Sequence, residues 1–140
     1  MPGQRLAVTG LVTQVARGIR TTLDQRFAEL GLTSQQAGVL LHVSGGTTSP
    51  RQLADLLGTD TAGMTRLVDR LVEKDYLERR PGSSDRRAIT VELTPSGRRL
   101  LPKIKPIFDD VADTITADIP AAALPAIVKA LQSMRATLEA

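Results

Sequence analysis

The sequence of 140 residues contains no cysteine and a single histidine, His42. Without cysteine the chain cannot form disulfides, thiolate redox sensors, or zinc and iron–sulfur sites held by cysteine. One histidine leaves a transition-metal site dependent almost entirely on carboxylates. We find no Ser–His–Asp set, no glycine-rich phosphate loop after a strand and no metal-spaced cluster in the sequence. We therefore expect no cofactor, no metal ion and no enzymatic activity.

Aromatic residues and long apolar runs are also scarce. Phe27, Tyr76 and Phe108 are the only aromatic residues, and single-stranded nucleic acid is bound on several exposed aromatics, so that binding mode is disfavoured. No apolar run reaches membrane-spanning length, and the N-terminus lacks a signal-peptide pattern. We expect a cytoplasmic chain with no membrane contact. Its 41% apolar and 24% charged residues are ordinary for one globular domain.

Positive charge is concentrated in one part of the chain. The formal net charge is only +3, yet residues 77–105 hold eight basic residues against three acidic ones. A local basic stripe on a nearly neutral chain indicates a surface that binds a polyanion. A merely solvated charged surface would give the same pattern, so the charge alone leaves both interpretations open.

The residue pattern predicts two helices before residue 46. Apolar residues recur at steps of three and four over residues 8–30, which predicts a long first helix closed by Gly31. Thr33 with Gln36 forms a capping-box pattern that starts a second helix, ended by Gly45.

Two shorter helices and a hairpin follow. Ser49 and Pro50 mark a helix start, Gly58 stops that helix, and Asp60 caps the next one, which ends near Asp75. Residues 76–80 and 88–93 favour extended structure on either side of a turn-rich loop. Two helices joined by a tight turn and followed by such a hairpin are the outline of a winged helix-turn-helix, here residues 33–93.

The C-terminal part is predicted to be helical with one irregularity. Thr94 and Pro95 open a helix in which Pro102 and Pro106 fall at interior positions, so we expect that helix to be bent or delayed. Pro120 restarts a terminal helix.

The regions outside the winged unit, residues 1–31 and 94–140, carry long apolar stripes. Because monomers rarely expose large apolar patches, burial in a homodimer is the expected arrangement, and a twofold protein suits a twofold DNA site. The alternative is that the first and last helices cover each other within one chain.

Four segments carry a family resemblance: LTSQQ at residues 32–36, LADLLG at 53–58, MTRLVDRL at 64–71 and DRRAITVELT at 85–94. In this order and spacing, the chain resembles the multiple antibiotic resistance regulator (MarR) family over nearly its whole length. The resemblance implies a single domain over residues 1–140, mainly α with a small β-wing and with dimerisation helices at both ends. It also implies a homodimer that binds palindromic operators in double-stranded DNA and represses transcription. A small, often phenolic or anionic, effector bound between the DNA-binding and dimerisation helices would weaken DNA binding.

The helix from Asp60 is expected to lie in the major groove with its N-terminal part facing the bases. Arg66 on its outward side either contacts DNA or pairs with Asp69. Ala62 and Gly63 stand where the family often carries Ser or Thr, which favours a close backbone approach to DNA at Gly63. The predicted DNA-binding residues are Ser49, Arg51, Thr61, Gly63, Thr65, Arg66, Arg70, Arg80, Arg86 and Arg87.

These residues are expected to act in different ways. Ser49 and Arg51 lie at a helix N-terminus, which suits a phosphate. Arg80 and Arg86 either contact phosphate or are solvated. By resemblance the remaining wing arginine, Arg87, enters the minor groove, and Asp85 orients the wing by pairing with it.

Two points about an effector stay open. His42 either senses ligand or pH, or is a partly buried helix residue with a local hydrogen bond. A cavity could be lined by Val12, Ile19, Leu40, Leu101 or Ile104, although these are equally ordinary core residues.

The leading interpretation is a ligand-responsive transcriptional regulator. Two alternatives use the same residues: a non-specific or architectural DNA-binding protein with a basic wing, and a dimerisation module without a DNA role.

Overall fold

The computed structural model of the chain describes residues 2–82 and 88–140. Its helices are α1 (Pro2–Phe27), α2 (Ser34–Ser44), α3 (Pro50–Leu57), α4 (Thr61–Glu73), α5 (Pro95–Thr116) and α6 (Leu124–Glu139). Its strands are β1 (Leu77–Pro81) and β2 (Ile89–Leu93), and short 3₁₀ turns cover Ala28–Leu30 and Ala121–Ala123. The predicted fold, mainly α with a small β-wing, is confirmed.

Local side-chain caps begin the helices where the sequence predicts. Thr33 Oγ1 accepts a hydrogen bond from Gln36 N at 3.1 Å while Gln36 Oε1 accepts one from Thr33 N at 3.0 Å, a complete capping box. Ser49 Oγ accepts from the amide of the third residue of its helix at 3.4 Å. Asp60 Oδ1 accepts from Gly63 N at 2.6 Å. These bonds satisfy amides that have no partner inside their own helix.

Left-handed glycines end two of the elements. Gly31 (φ 69°) follows the 3₁₀ turn after α1, and Gly58 (φ 65°) follows α3. A residue with a side chain adopts this backbone conformation only at a cost, which explains glycine at both positions.

The core lies where the C-terminal part of α1 meets α2, α4 and α5. The rings of Phe27 and Phe108 lie 4.9 Å apart between centroids and join α1 to α5. The apolar residues Val39, Leu40 and Val43 of α2 face this core. The largest fully buried side chains are Phe27, Leu40, Leu53, Met64, Leu71, Leu77, Ile104, Val39, Val68 and Val91.

The two strands form an antiparallel hairpin with one face against the helices. Leu77 pairs with Leu93 and Arg79 with Val91. The apolar members of these pairs are buried. Val91 N also donates a hydrogen bond to Thr48 O at 3.0 Å, which fastens the hairpin to the segment that precedes α3.

The expected delay in the helix containing Pro102 and Pro106 is wrong, because α5 runs without interruption from Pro95. The two prolines are four residues apart and both are exposed, so they occupy one solvent-facing side. On that side the carbonyl groups that lose an amide partner can bond to water. The opposite side is held by the buried Ile104 and Val111.

The terminal helix also starts later than predicted. Pro120 begins the 3₁₀ turn, and α6 itself starts at Leu124. No residue of α6 is buried, and Leu131 is 44% exposed. In α1, Leu11 is 57% exposed and Val15 is also exposed. The alternative in which the first and last helices cover each other within one chain is therefore wrong for the described residues.

Across residues 2–82 and 88–140, no single helix is long and apolar enough to cross a membrane. Only α5 and α6 taken together, across a bend of 102°, reach that length and composition.

Candidate nucleic-acid interface

The N-terminal ends of α3 and α4 and the loop-side part of the hairpin enclose an open cleft of about 660 Å³. Four predicted DNA-contacting residues, Ser49, Arg51, Thr61 and Thr65, line it. Arg79 from β1 lines it as well. The fold thus brings together residues that are up to 30 positions apart in the chain and surrounds them with helix N-termini, whose free amides suit an anion.

The outward side of α4 is polar over its whole length. Met64, Val68 and Leu71 are buried on the inner side. Thr61, Thr65 and Asp69 follow one another at steps of four and are all exposed, so they share a face. Thr65 Oγ1 donates to Thr61 O at 2.9 Å, which leaves the lone pairs of this hydroxyl free to accept a hydrogen bond.

Arg66 is exposed on the same helix and, among the residues that the structure describes, makes no ion pair. The alternative that paired it with Asp69 is wrong, because Asp69 pairs with Arg79 instead. The Arg66 guanidinium keeps its five donors for another partner.

The ion pair between Arg79 and Asp69 is a feature that the sequence interpretation missed. Arg79 Nη2 donates to Asp69 Oδ1 and so connects β1 to α4. A signal was present: side chains alternate along a strand, so Arg79 shares the face of the buried Leu77, two residues away. That face is the one turned towards α4.

Arg80 lies on the opposite face of the hairpin. There it hydrogen-bonds to Glu78 at 2.7 Å and pairs with Glu92 at 3.0 Å. Glu78 and Glu92 are directly opposite each other across the strands, and like charges in that arrangement repel. Arg80 compensates both, and its hydrogen bond to Glu78 and the charges of the two acids raise the pKa of Arg80 above its ordinary value. Its prediction as a phosphate contact stays a prediction.

Gly63 has a local structural role beside the predicted close approach to DNA. A methyl group at this position would overlap Thr59 Oγ1 and lie 2.9 Å from Asp60 Oδ1, the N-cap of α4. Glycine therefore leaves room for the cap of its own helix.

Arg70 is separated from the other predicted residues. It lines a second cleft, of about 330 Å³, with Arg20 and Asp24 of α1 and Ser34 of α2. Asp85, Arg86 and Arg87 fall within residues 83–87 and so lie outside the described residues.

The end of α4 is joined to the start of α5 by one buried side chain. Thr94 Oγ1 donates to Asp75 O at 2.6 Å and accepts from Gly97 N at 3.0 Å. A methyl group at Gly97 would overlap the carbonyl oxygen of Tyr76. The Thr94 cap was predicted, but its bond to the residue that follows α4 was not.

A third cleft, of about 370 Å³, lies between α1, α2, α3 and α5. Ile19, Leu57 and Phe108 supply apolar surface, and Arg20 and the partly buried His42 supply polar groups. Ile19 is the one predicted cavity residue found here. The other four candidates do not line this cleft: Leu40 and Ile104 are completely buried, as the ordinary-core alternative expects, Val12 is exposed and Leu101 lines another depression.

A sequence model of the MarR family matches residues 30–88. The multiple antibiotic resistance protein MarR of Salmonella typhimurium is 29% identical over 102 residues, which span 69% of this chain and 71% of that protein. The fold is similar to that of a mutant MarR from E. coli complexed with operator DNA, with a TM-score of 0.81 and 24% identity over 94% of this chain and 95% of the other. It is also similar to CouR from Rhodococcus jostii RHA1 bound to p-coumaroyl-CoA, with a TM-score of 0.83 and 25% identity over 91% of each chain.

Proposed function

The chain belongs to the MarR family of transcriptional regulators, and on that premise we propose that it is a ligand-responsive repressor that binds a palindromic operator as a homodimer. The observation that carries this proposal is the cleft at the N-termini of α3 and α4. It gathers Ser49, Arg51, Thr61 and Thr65 on one surface.

In the proposed complex, α4 lies in the major groove. Thr61 and Thr65 face the base edges, and Arg66 either forks onto guanine or clamps a phosphate. Ser49 and Arg51 hold phosphate at the N-terminus of α3. Gly63, Arg70, Arg80 and Arg86 remain proposed contacts, while Arg87, oriented by Asp85, enters the minor groove. The similar fold of an E. coli relative complexed with operator DNA supports this mode of binding.

The proposed homodimer forms through α1 and α6, together with the end of α5. The exposed apolar residues of these helices support it, because water contact with so much apolar surface is unfavourable. They are Leu6, Val8, Leu11, Val12, Val15, Ile115, Ile127, Val128, Leu131 and Leu138. A twofold dimer would present two copies of α4 to two half-sites of one palindrome.

The proposed effector site is the cleft between α1, α2, α3 and α5. The cleft lies between the long terminal helices and the winged helix-turn-helix, so it suits a ligand that changes their relative placement. Its apolar walls, together with Arg20 and His42, suit an anionic or phenolic molecule. CouR, which has a similar fold and was solved bound to p-coumaroyl-CoA, supports the proposal that this chain binds a small molecule.

Selection of genomic fragments by the purified protein tests the proposal. We expect recovery of one palindromic sequence that is bound at least about 10³-fold more tightly than random duplex at physiological salt. Equal affinity for random duplex would favour the non-specific or architectural alternative. Absence of binding to any duplex would favour a dimerisation module without a DNA role.

A further inference from the structure

The ion pair between Asp69 and Arg79 connects the two parts of the molecule that are proposed to touch DNA. Asp69 belongs to the exposed face of α4 that also carries Thr61 and Thr65. Arg79 belongs to β1 and lies two residues closer to the hairpin loop than Leu77, the buried residue that anchors the strand. The pair therefore connects β1 to α4 at the level where the buried Val91 packs β2 against the helices.

The carboxylate of Asp69 is unfavourable for DNA binding unless it has another role. A carboxylate on the DNA-facing side of a reading helix repels phosphates, since the duplex carries one negative charge per about 1.7 Å of its axis. Arg79 cancels this charge, but an uncharged residue at position 69 would remove the repulsion more simply. An uncharged residue at position 69 could not form the ion pair with Arg79 that connects α4 to β1.

Arg80 shows how differently a neighbouring arginine is used. It has the same charge and the next position in the same strand, but its partners Glu78 and Glu92 both belong to the hairpin. Its pairs therefore stabilise the hairpin internally, whereas the pair of Arg79 fixes the hairpin relative to another element.

We infer that Asp69 and Arg79 are positioning residues that set the orientation of the hairpin relative to α4, so that the wing and the reading helix reach DNA together. This inference rests on the proposed DNA-binding function. It assigns a positive contribution to DNA binding to an acidic residue that would otherwise only repel DNA.

Duplex binding by four variants, measured over a range of salt concentrations, tests the inference. We expect Arg79→Ala and Asp69→Ala each to weaken binding about tenfold, and the double variant to be no weaker than either single one, because all three lose the same connection. Arg17→Ala removes an identical charge from an exposed position of α1 outside the proposed DNA contacts, so we expect a change of less than about threefold. Side chains of Asp69 and Arg79 are 50% and 35% exposed, so these variants should fold, and thermal unfolding checks that they do.

Each competing explanation gives a different result. If Asp69 only repels DNA, Asp69→Ala tightens binding, which overturns the inference. If Arg79 contacts phosphate directly, the double variant, whose net charge equals that of wild type, loses about 0.9 from the slope of log affinity against log salt. An unchanged slope with weakened binding supports positioning. Equal losses in Arg79→Ala and Arg17→Ala, with binding restored in the double variant, would show that only the net charge matters, and this result also overturns the inference.

A measurement without DNA separates this inference from the proposed function. The chain has no cysteine, so spin labels can be placed at Ala62→Cys and Ile89→Cys alone. We expect a narrow distance distribution in the otherwise wild-type chain and in Arg17→Ala, and a broader one in Arg79→Ala and Asp69→Ala. Equal widths in all of them overturn the inference even if the wild-type chain binds its operator. Failure of wild type to prefer a palindrome, with the widths as expected, overturns the proposed function and leaves the positioning role supported.

Discussion

Gly63 gives α4 room for its own N-cap, and this role predicts that alanine at this position brings no gain in stability. Glycine in a helix normally costs about 1 kcal/mol relative to alanine. At Gly63, however, the added methyl group would displace Asp60 Oδ1 or Thr59 Oγ1, and loss of an N-cap costs about 1 kcal/mol. We expect Gly63→Ala to leave the free energy of unfolding within about 0.5 kcal/mol of the wild-type value, because loss of the cap offsets the gain in helix propensity. Urea denaturation at fixed protein concentration measures this.

Gly10 is the matched control for Gly63. It lies within α1 with no heavy atom within 4 Å of an added methyl group. Gly10→Ala should therefore raise the free energy of unfolding by about 0.5–1 kcal/mol. If Gly63→Ala stabilises the chain as much as Gly10→Ala and only DNA binding suffers, glycine serves the approach to DNA and not the cap.

Arg87 is predicted to supply much of the DNA affinity from the wing. Arg87→Ala should weaken operator binding by about 1–3 kcal/mol, that is, roughly 5- to 150-fold, because an arginine in a narrow minor groove meets concentrated negative potential. Gel-shift titration at physiological salt measures the loss. Arg87→Lys keeps the charge and should lose less. An unchanged affinity in Arg87→Ala would refute this assignment, provided that sedimentation shows an unchanged oligomeric state.

Between elements, the buried side chain of Thr94 connects the end of α4 to the start of α5. Thr94 is 6% exposed and uses one hydroxyl group both to donate to Asp75 O and to accept from Gly97 N. Thr94→Val keeps the shape but loses both bonds, and it leaves buried polar groups unpaired. We expect it to lower the free energy of unfolding by about 2 kcal/mol. Thr94→Ser keeps the hydroxyl group and should recover most of the loss in the same urea titration.

A different result would locate the constraint elsewhere. If Thr94→Val and Thr94→Ser are equally stable, the hydroxyl group contributes little. The close approach of Gly97 to the Tyr76 carbonyl would then be what joins the two helices.

The same junction shows how far the sequence predicts the fold. The caps at Thr33, Ser49, Asp60 and Thr94 were predictable because each bond reaches only three residues along the chain. The Thr94–Asp75 bond and the Asp69–Arg79 pair cross between elements, so they depend on how the hairpin packs. The delayed start of α5 was mispredicted for a related reason: whether an interior proline interrupts a helix depends on which side faces water, and that side is set by burial of Ile104 and Val111.

At the scale of the whole molecule, α1 connects the exposed apolar surface of the proposed dimer interface to the winged helix-turn-helix. Arg26 Nη1 donates to Asp110 Oδ2 at 2.7 Å and joins α1 to α5. Asp24 Oδ1 accepts from Ser34 N at 2.7 Å and joins α1 to the start of α2. Lys74 Nζ donates to Gly31 O and joins the end of α4 to the turn after α1. A ligand between α1 and α2 would therefore lie among contacts that fix where α4 sits.

The proposed homodimer makes a prediction about α6. Leu131→Asp places a charge in the exposed apolar seam of this helix, where dimer formation would have to bury it without a partner. We expect sedimentation equilibrium at micromolar concentration to give the mass of two chains for wild type and of one chain for Leu131→Asp. Operator affinity should fall about 100-fold or more, because two linked half-site contacts become one. Ser133→Asp adds the same charge on the side of α6 away from the seam and should leave both mass and affinity unchanged. A Leu131→Asp chain that keeps the wild-type mass, or a wild-type chain that is already a monomer, would remove α6 from the dimer interface.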